Sequence, residues 1–360
     1  MKKAPQSNVA DQIGAATLKI IGAINVLFAA ALIITAFSVS PASAQQMQAC
    51  GGDNLLAQLK QTDRDAYREI VAQAAAVPFG QSLLFKIEKD GTPPSWLFGT
   101  MHMTDPRIVE LSPKAEAAFT QADTLIIESD EILDMTQAQL ALLSRPDLQM
   151  FTDGQRLSDF ITDEERETLK TGLQKRGLQL ALIDRMKPWM VTGLVALPAC
   201  EMARKQAGEA FLDIALAQRA QADGKAIEGL ETIVEQLDAM ASLPIEFHVQ
   251  GLVETIKLGD MMDDVIETMI QLYLNENIAA VMPTLERVAA AATGSTDESG
   301  YADFEEKIVI NRNYIMAERA QPHLEQGGVF LAVGALHLPG EEGVAQLLEN
   351  AGYTVSPVIE

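Results

Sequence analysis

The sequence predicts an α/β protein: a central mixed sheet built from N- and C-terminal strands, with helices around it and a large helical middle segment. Three observations predict it. Short apolar runs bounded by Gly, turn residues or a carboxylate gather towards the two ends of the chain, the mark of buried strands. The stretch between them repeats apolar residues at helical spacing, and such an order builds a sheet packed with helices. With 360 residues, 48% of them hydrophobic, there is enough apolar surface for one large domain or two small ones.

The chain opens on a different composition. Lys2 and Lys3 start a polar region, Lys19 precedes an almost uncharged run over 20–39, and Pro41-Ala-Ser-Ala44 puts small residues at Ala42 and Ala44. This is the form of a secretory signal peptide cleaved after Ala44, and it predicts a secreted or periplasmic protein. The run also approaches the roughly 20 residues that span a bilayer, so a leader left uncleaved would be an anchor and the one expected membrane contact. Residues 1–44 are read as leader and 45–360 as the folded domain, with helical insertion over about 134–222 and 244–325.

Within the domain, Leu55, Leu56, Leu59, Tyr67, Ile70 and Val71 fall at helical spacing and predict one or two short helices. Residues 83–88 alternate like a strand, 89–92 turn, and Trp96-Leu-Phe98 returns, which predicts a hairpin. Ser112-Pro113 starts a helix, Ser as cap and Pro in the first turn. Residues 123–128 make a short buried strand that ends in Glu128. From 134 to about 204 the pattern is helical, with breaks at Arg145-Pro146, Asp153-Gly154 and Lys187-Pro188. An amphipathic helix covers 208–222, and a strand over 225–230 leads into Glu231. Residues 244–292 are helical again, 293–300 form a loop, and a helix over 304–324 carries Asn311-Arg312-Asn313. A strand after 329, a helix over 341–350 and a strand over 353–359 close the chain.

The net charge of -23 and pI near 4.5 repel phosphate backbones, which excludes nucleic acid as a partner. Only two cysteines are present, Cys50 and Cys200. In an oxidising compartment they read as one disulfide joining the N-terminal arm to the helical middle; the alternative is two buried thiols.

The chemistry gathers in a repeat. Gly99-Thr-Met-His102 and Gly334-Ala-Leu-His337 each follow an apolar strand, and they hold two of the four histidines in the chain. Gly at a strand exit permits a sharp turn or a positive φ. The His three residues on then sits beyond the carboxyl end of the strand, where open α/β sheets place ligands. His248 and His323 lie on amphipathic helices without partners at ligand spacing and read as structural. Met261, Met262 and Met269 read as adaptable packing. Gly-x-Ser-x-Gly, His-Glu-x-x-His and phosphate-loop patterns are absent, which removes the common hydrolase and nucleotide readings.

Phe98-Gly-Thr-Met-His-Met-Thr-Asp-Pro-Arg107, Glu128, Gly229-Leu-Glu-Thr232 with Gln236, Asn311-Arg-Asn313 and Val333-Gly-Ala-Leu-His-Leu-Pro-Gly-Glu-Glu-Gly343 together resemble the TraB/GumN family, which includes the animal Tiki proteins. The resemblance runs over essentially the whole mature chain. It implies an α/β fold related to the haem-binding ChaN and erythromycin-esterase proteins. From the Tiki branch it implies a metal-dependent protease whose two Gly-x-x-His histidines and glutamate form the metal site. Carried onto this chain, His102, Glu128 and His337 hold a divalent ion (Mn, Co or Zn), with Gly99 and Gly334 shaping the site. Three such ligands leave a position open for water, whose pKa the ion lowers to about 7. Glu128 is then either a ligand or the general base, and Arg312 stabilises an oxyanion or holds a substrate carboxylate. Asp105 and Arg107 either pair with each other or orient His102, and Glu231 either supports the site or starts a helix. The expected function is an exported metal-dependent hydrolase, first a peptidase, acting on a peptide or other small polar substrate. The alternative is a non-catalytic periplasmic protein using the same cleft for haem, metal or a peptide. A third, an accessory role in envelope polysaccharide production, follows only from the GumN name.

Overall fold

The structure, a computed structural model, describes residues 50–293 and 301–359. The expected leader and residues 294–300 of the expected loop lie outside the described residues.

Six strands form one mixed sheet, as expected: β1 (Leu84–Glu88), β2 (Ser95–Thr100), β3 (Thr124–Ile127), β4 (Ala226–Gly229), β5 (Val329–Gly334) and β6 (Thr354–Pro357). Their spatial order is β4-β3-β5-β2-β1-β6. The hairpin β1–β2 pairs Leu84 with Phe98 and turns at Gly91, whose φ of 79° needs a glycine. β5 lies between β2 and β3 and runs parallel to both. Its residues Val329–Val333 are all buried, because a central parallel strand is covered on both faces.

Successive side chains divide between the faces. Phe98, Leu125, Ile127, Phe330 and Ala332 pack against Phe119 of the helix Pro113–Gln121 and against Leu216 and Met269 of the helical middle. Leu97, Ile126, Leu331 and Val333 pack against Met316, Ala320 and Leu324 of the helix Asn311–Leu324, and against Val344 and Leu348 of the helix Val344–Asn350. The middle also has a core of its own, with Leu169, Leu173, Val191, Val195, Leu252 and Val253 at its centre. The first helical stretch divides into Leu55–Thr62 and Arg64–Ala76, each capped by an acceptor side chain, Asn54 and Asp63. Gly259, at φ 53°, separates Ile245–Leu258 from Met261–Leu274. The expected helix over 304–324 is interrupted: a π-helical segment, Glu305–Ile310, precedes Asn311. Among the described residues no helix is long and apolar enough to cross a membrane.

Cys50 and Cys200 form a disulfide across 150 residues of chain. Its second cysteine lies on the helix Ala199–Gln206, which grips the segment after β2. There Glu201 accepts from the Thr104 amide and hydroxyl, both at 2.8 Å. Lys205 Nζ donates to the His102 carbonyl at 3.5 Å, and Arg204 Nε donates to Thr104 Oγ1 at 3.1 Å. Loop-closure entropy for a bridge this long is worth about 5 kcal/mol. Cys200→Ala should therefore lower the denaturant midpoint by the equivalent of several kcal/mol; a loss below about 1 kcal/mol would rule out that contribution.

His248 is buried, donates through Nε2 to the Met240 carbonyl at 2.9 Å and packs 4.7 Å from the Trp189 ring. Burial pushes its pKa down to about 4 from 6.5. The folded state thus binds the proton less readily than the unfolded one. Stability is full above pH 6.5 and is lost as pH falls through that value towards 4, by roughly 3 kcal/mol. His248→Gln, which keeps a donor for Met240, should flatten the stability profile between pH 6.5 and 4. An unchanged slope would show that His248 does not set it.

Candidate functional site

Because β3, β5 and β2 are parallel neighbours, their carboxyl ends open on one edge of the sheet. Thr100 pairs with Gly334 and Ile127 with Ala332. Glu128, His102 and His337 leave these three strands, and all three line one cavity of about 90 Å³. That is room for several water molecules.

Each histidine is held through Nδ1. His102 Nδ1–H donates to Asp213 Oδ2 at 2.5 Å, while Thr100 Oγ1 donates to Asp213 Oδ1 at 2.8 Å. Burial alone would depress the His102 pKa, but the charge and hydrogen bond of Asp213 outweigh it and raise the value. His337 Nδ1–H donates to Asn313 Oδ1 at 2.7 Å. Asn313 Nδ2 is spent on the Glu342 carbonyl at 2.8 Å, so its Oδ1 faces the ring. Burial, then the Arg312 charge, pushes His337 down to about 3, so its ring is neutral and Nε2 is an acceptor.

Glu128 is buried and ionised. Its Oε1 accepts from the Gly334 amide at 2.7 Å, and its Oε2 accepts from Gln236 Nε2 at 3.1 Å and an Arg312 terminal nitrogen at 2.7 Å. Burial pushes its pKa up, but Arg312, His337 and His102 together hold it at about 2. Arg312 also forks onto Glu231, with Nε at 3.0–3.1 Å and a terminal nitrogen at 2.7 Å, and its other terminal nitrogen lies 3.3 Å from His337 Nε2. Glu231 thus reaches the site through Arg312.

The structure chooses among several of the expected alternatives and adds residues to them. Neither Gly99 nor Gly334 has a positive φ; Gly334 sits at -50°. Both instead stand in close approach to a neighbour. A Cβ at 334 would lie 3.1 Å from Glu128 Oε1, and one at 99 would lie 3.0 Å from Ala335. Asp105 and Arg107 take the first of their two expected alternatives and pair at 2.9–3.0 Å, with Arg107 also forked onto Glu267. Asp213, which the sequence motifs do not include, is the carboxylate on His102. The sequence does carry a signal for it: an acid among Leu212, Leu216, Ala217 and Ala220, on the buried stripe of the helix Leu212–Ala222. Ser129 is a second addition; its buried Oγ has no partner among the described residues, though it lies where a serine ordinarily caps the following turn.

The donor chemistry suits a divalent ion. Two imidazoles have Nδ1 anchored by a polar side chain, which would leave Nε2 to ligate an ion, and a carboxylate is held ionised beside them. Among the described residues no group of three or more His, Cys, Asp or Glu stands together as a metal cluster. The Arg312 guanidinium lies against both His337 and Glu128.

Comparison with known proteins finds metalloproteases. Metalloprotease TIKI1 of Homo sapiens is 24% identical over 326 residues, which cover 76% of this chain and 61% of that protein. Metalloprotease TIKI1 of Danio rerio is 25% identical over 321 residues, covering 76% and 62%. Metalloprotease TIKI2 of Xenopus tropicalis is 22% identical over 350 residues, covering 80% and 64%. The match thus spans about three fifths of the length of these relatives. No solved structure matches significantly. The family model for TraB/PrgY/gumN matches residues 83–357, from the first strand of the sheet to the last, and the chain belongs to that family.

Proposed function

We propose that the protein is an exported metal-dependent peptidase whose ion is held by His102, Glu128 and His337. One observation carries the reading: two Nδ1-anchored histidines and a buried ionised carboxylate leave three adjacent parallel strands into a single cavity. The similarity to metalloproteases supports it. A bound ion would polarise a peptide carbonyl and supply hydroxide near neutral pH.

The chain's own groups do the rest. Asp213 and Asn313 fix the ring orientations. Burial keeps His337 neutral, as a ligand must be. Arg312 is a cation at the very position where positive charge is wanted, and Glu231 offers it a second carboxylate. With Glu231 retaining the guanidinium, Glu128 can turn to an ion without leaving Arg312 buried and unpaired.

Metal analysis of the purified protein should find about one Mn, Co or Zn per chain, and chelation should abolish cleavage of a broad peptide library. Absence of binding to all three ions would overturn the proposal. Stoichiometric metal without turnover would favour the binding-protein alternative, and a haem Soret band lost in His102→Ala would identify the ligand as haem.

A further inference from the structure

The cavity has two chemistries. The strand exits give it Thr100, His102, Glu128 and His337, whereas the helical middle and the π-helical segment give it Met240, Met269, Ile278, Val281 and Ile308. Nothing in the polar chemistry requires that apolar wall. Buried apolar surface recovers its free energy when an apolar group fills it. The two methionines suit a group of variable shape, because the unbranched thioether repacks easily. Ser129 lines the same cavity with a hydroxyl that no described protein group satisfies. A buried, unsatisfied hydroxyl is costly, and a peptide backbone carries the donors and acceptors to satisfy it.

We infer that this wall is a specificity subsite for one large apolar side chain of a peptide, of the size of leucine, methionine or phenylalanine. Ser129 Oγ hydrogen-bonds the peptide backbone beside it. The inference rests on the peptidase reading for the peptide nature of the ligand, but it is tested by binding as well as by turnover.

The probes are N-acetylated hexapeptide amides that differ at a single scanned position, carrying Ala, Leu, Met, Phe, Asp or Lys. With the full chain, the three large apolar residues should bind at least about tenfold tighter than the other three, the scale of a few buried methylenes. Val281→Phe, which occupies the apolar wall, should erase that advantage, so that the three large apolar peptides bind no tighter than the Ala peptide. Should Val281→Phe fail to fold, Met269→Ala enlarges the cavity and should move the optimum towards Phe. Ser129→Ala should weaken every peptide by a similar factor, with the melting temperature unchanged or raised. A structural role would instead lower the melting temperature and spare affinity. Equal binding of all six peptides, or a preference that both wall variants leave untouched, overturns the subsite. Apolar preference without cleavage sinks the peptidase reading and keeps the subsite; cleavage without preference does the reverse.

Discussion

Arg312→Ala is expected to destabilise the protein by about 3–5 kcal/mol, the usual cost of stranding a buried charge. Arg312 is the common partner of Glu128 and Glu231, both buried, and its own side chain is only 12% exposed. Removing it leaves two carboxylates facing each other across the vacated space. Arg312→Lys should recover little, because an ammonium cannot fork onto two carboxylates as the guanidinium does. Arg312→Met combined with Glu128→Gln and Glu231→Gln should recover most of the loss, since no charge is then left buried. The pH dependence carries the sign. Burial raises the Glu128 pKa, and Arg312 chiefly pulls it down to about 2, below its ordinary 4.5. Glu128 therefore contributes stability above pH 4.5 that is lost as pH falls through 2. Without Arg312 burial dominates, so that acid limb should shrink or reverse. Chemical denaturation at pH 7 and pH 3 reads both effects. A loss under about 1 kcal/mol at pH 7 would show that Arg312 is not the counter-ion of this buried pair.

Much of this arrangement is legible in the residues. The Gly-x-x-His repeat marks two strand exits, and the apolar run ending in Glu128 marks a third. Strand identity is legible because β2, β3 and β5 are short apolar runs with clear boundaries, and a buried parallel strand tolerates little else. Adjacency is less legible. That β5 inserts between β2 and β3 depends on contacts between residues more than 200 positions apart, and a local pattern carries no record of them. The two glycines are conspicuous in the sequence, but a positive φ is not the reason for them. Ala335 and the Glu128 carboxylate crowd them, and for each glycine the crowding atom belongs to another strand or its exit. Asp213 shows the opposite case: an acid on an apolar helical stripe is visible in the helical pattern alone, and a buried charge needs a partner. Asn311-Arg312-Asn313 stands out as a motif, but the pattern hides its division of labour. Arg312 turns to Glu128 and Glu231, while Asn313 turns to His337.

On the proposed metal site, Asp213→Asn should weaken divalent-metal affinity by about 10–100-fold, the usual effect of losing the group behind a ligating histidine. His102→Ala, which removes a proposed ligand, should cost the proposed peptidase activity about 10³-fold or more in kcat/KM. Asp213 has two effects on His102 that oppose each other. It fixes the ring and makes it a better ligand, yet by outweighing burial it also raises the His102 pKa, so a proton competes with the ion. Proton competition grows as pH falls, whereas ring orientation matters at every pH. Asp213→Asn relieves the first effect and loses the second. The affinity ratio between wild type and variant should therefore be larger at pH 8 than at pH 6. Chelator-competition titrations of both proteins at the two pH values supply it. A ratio larger at pH 6 would mean that Asp213 does not raise the proton affinity of His102. A ratio of one at both would detach Asp213 from the metal altogether and leave its buried carboxylate with Thr100 as a purely structural contact.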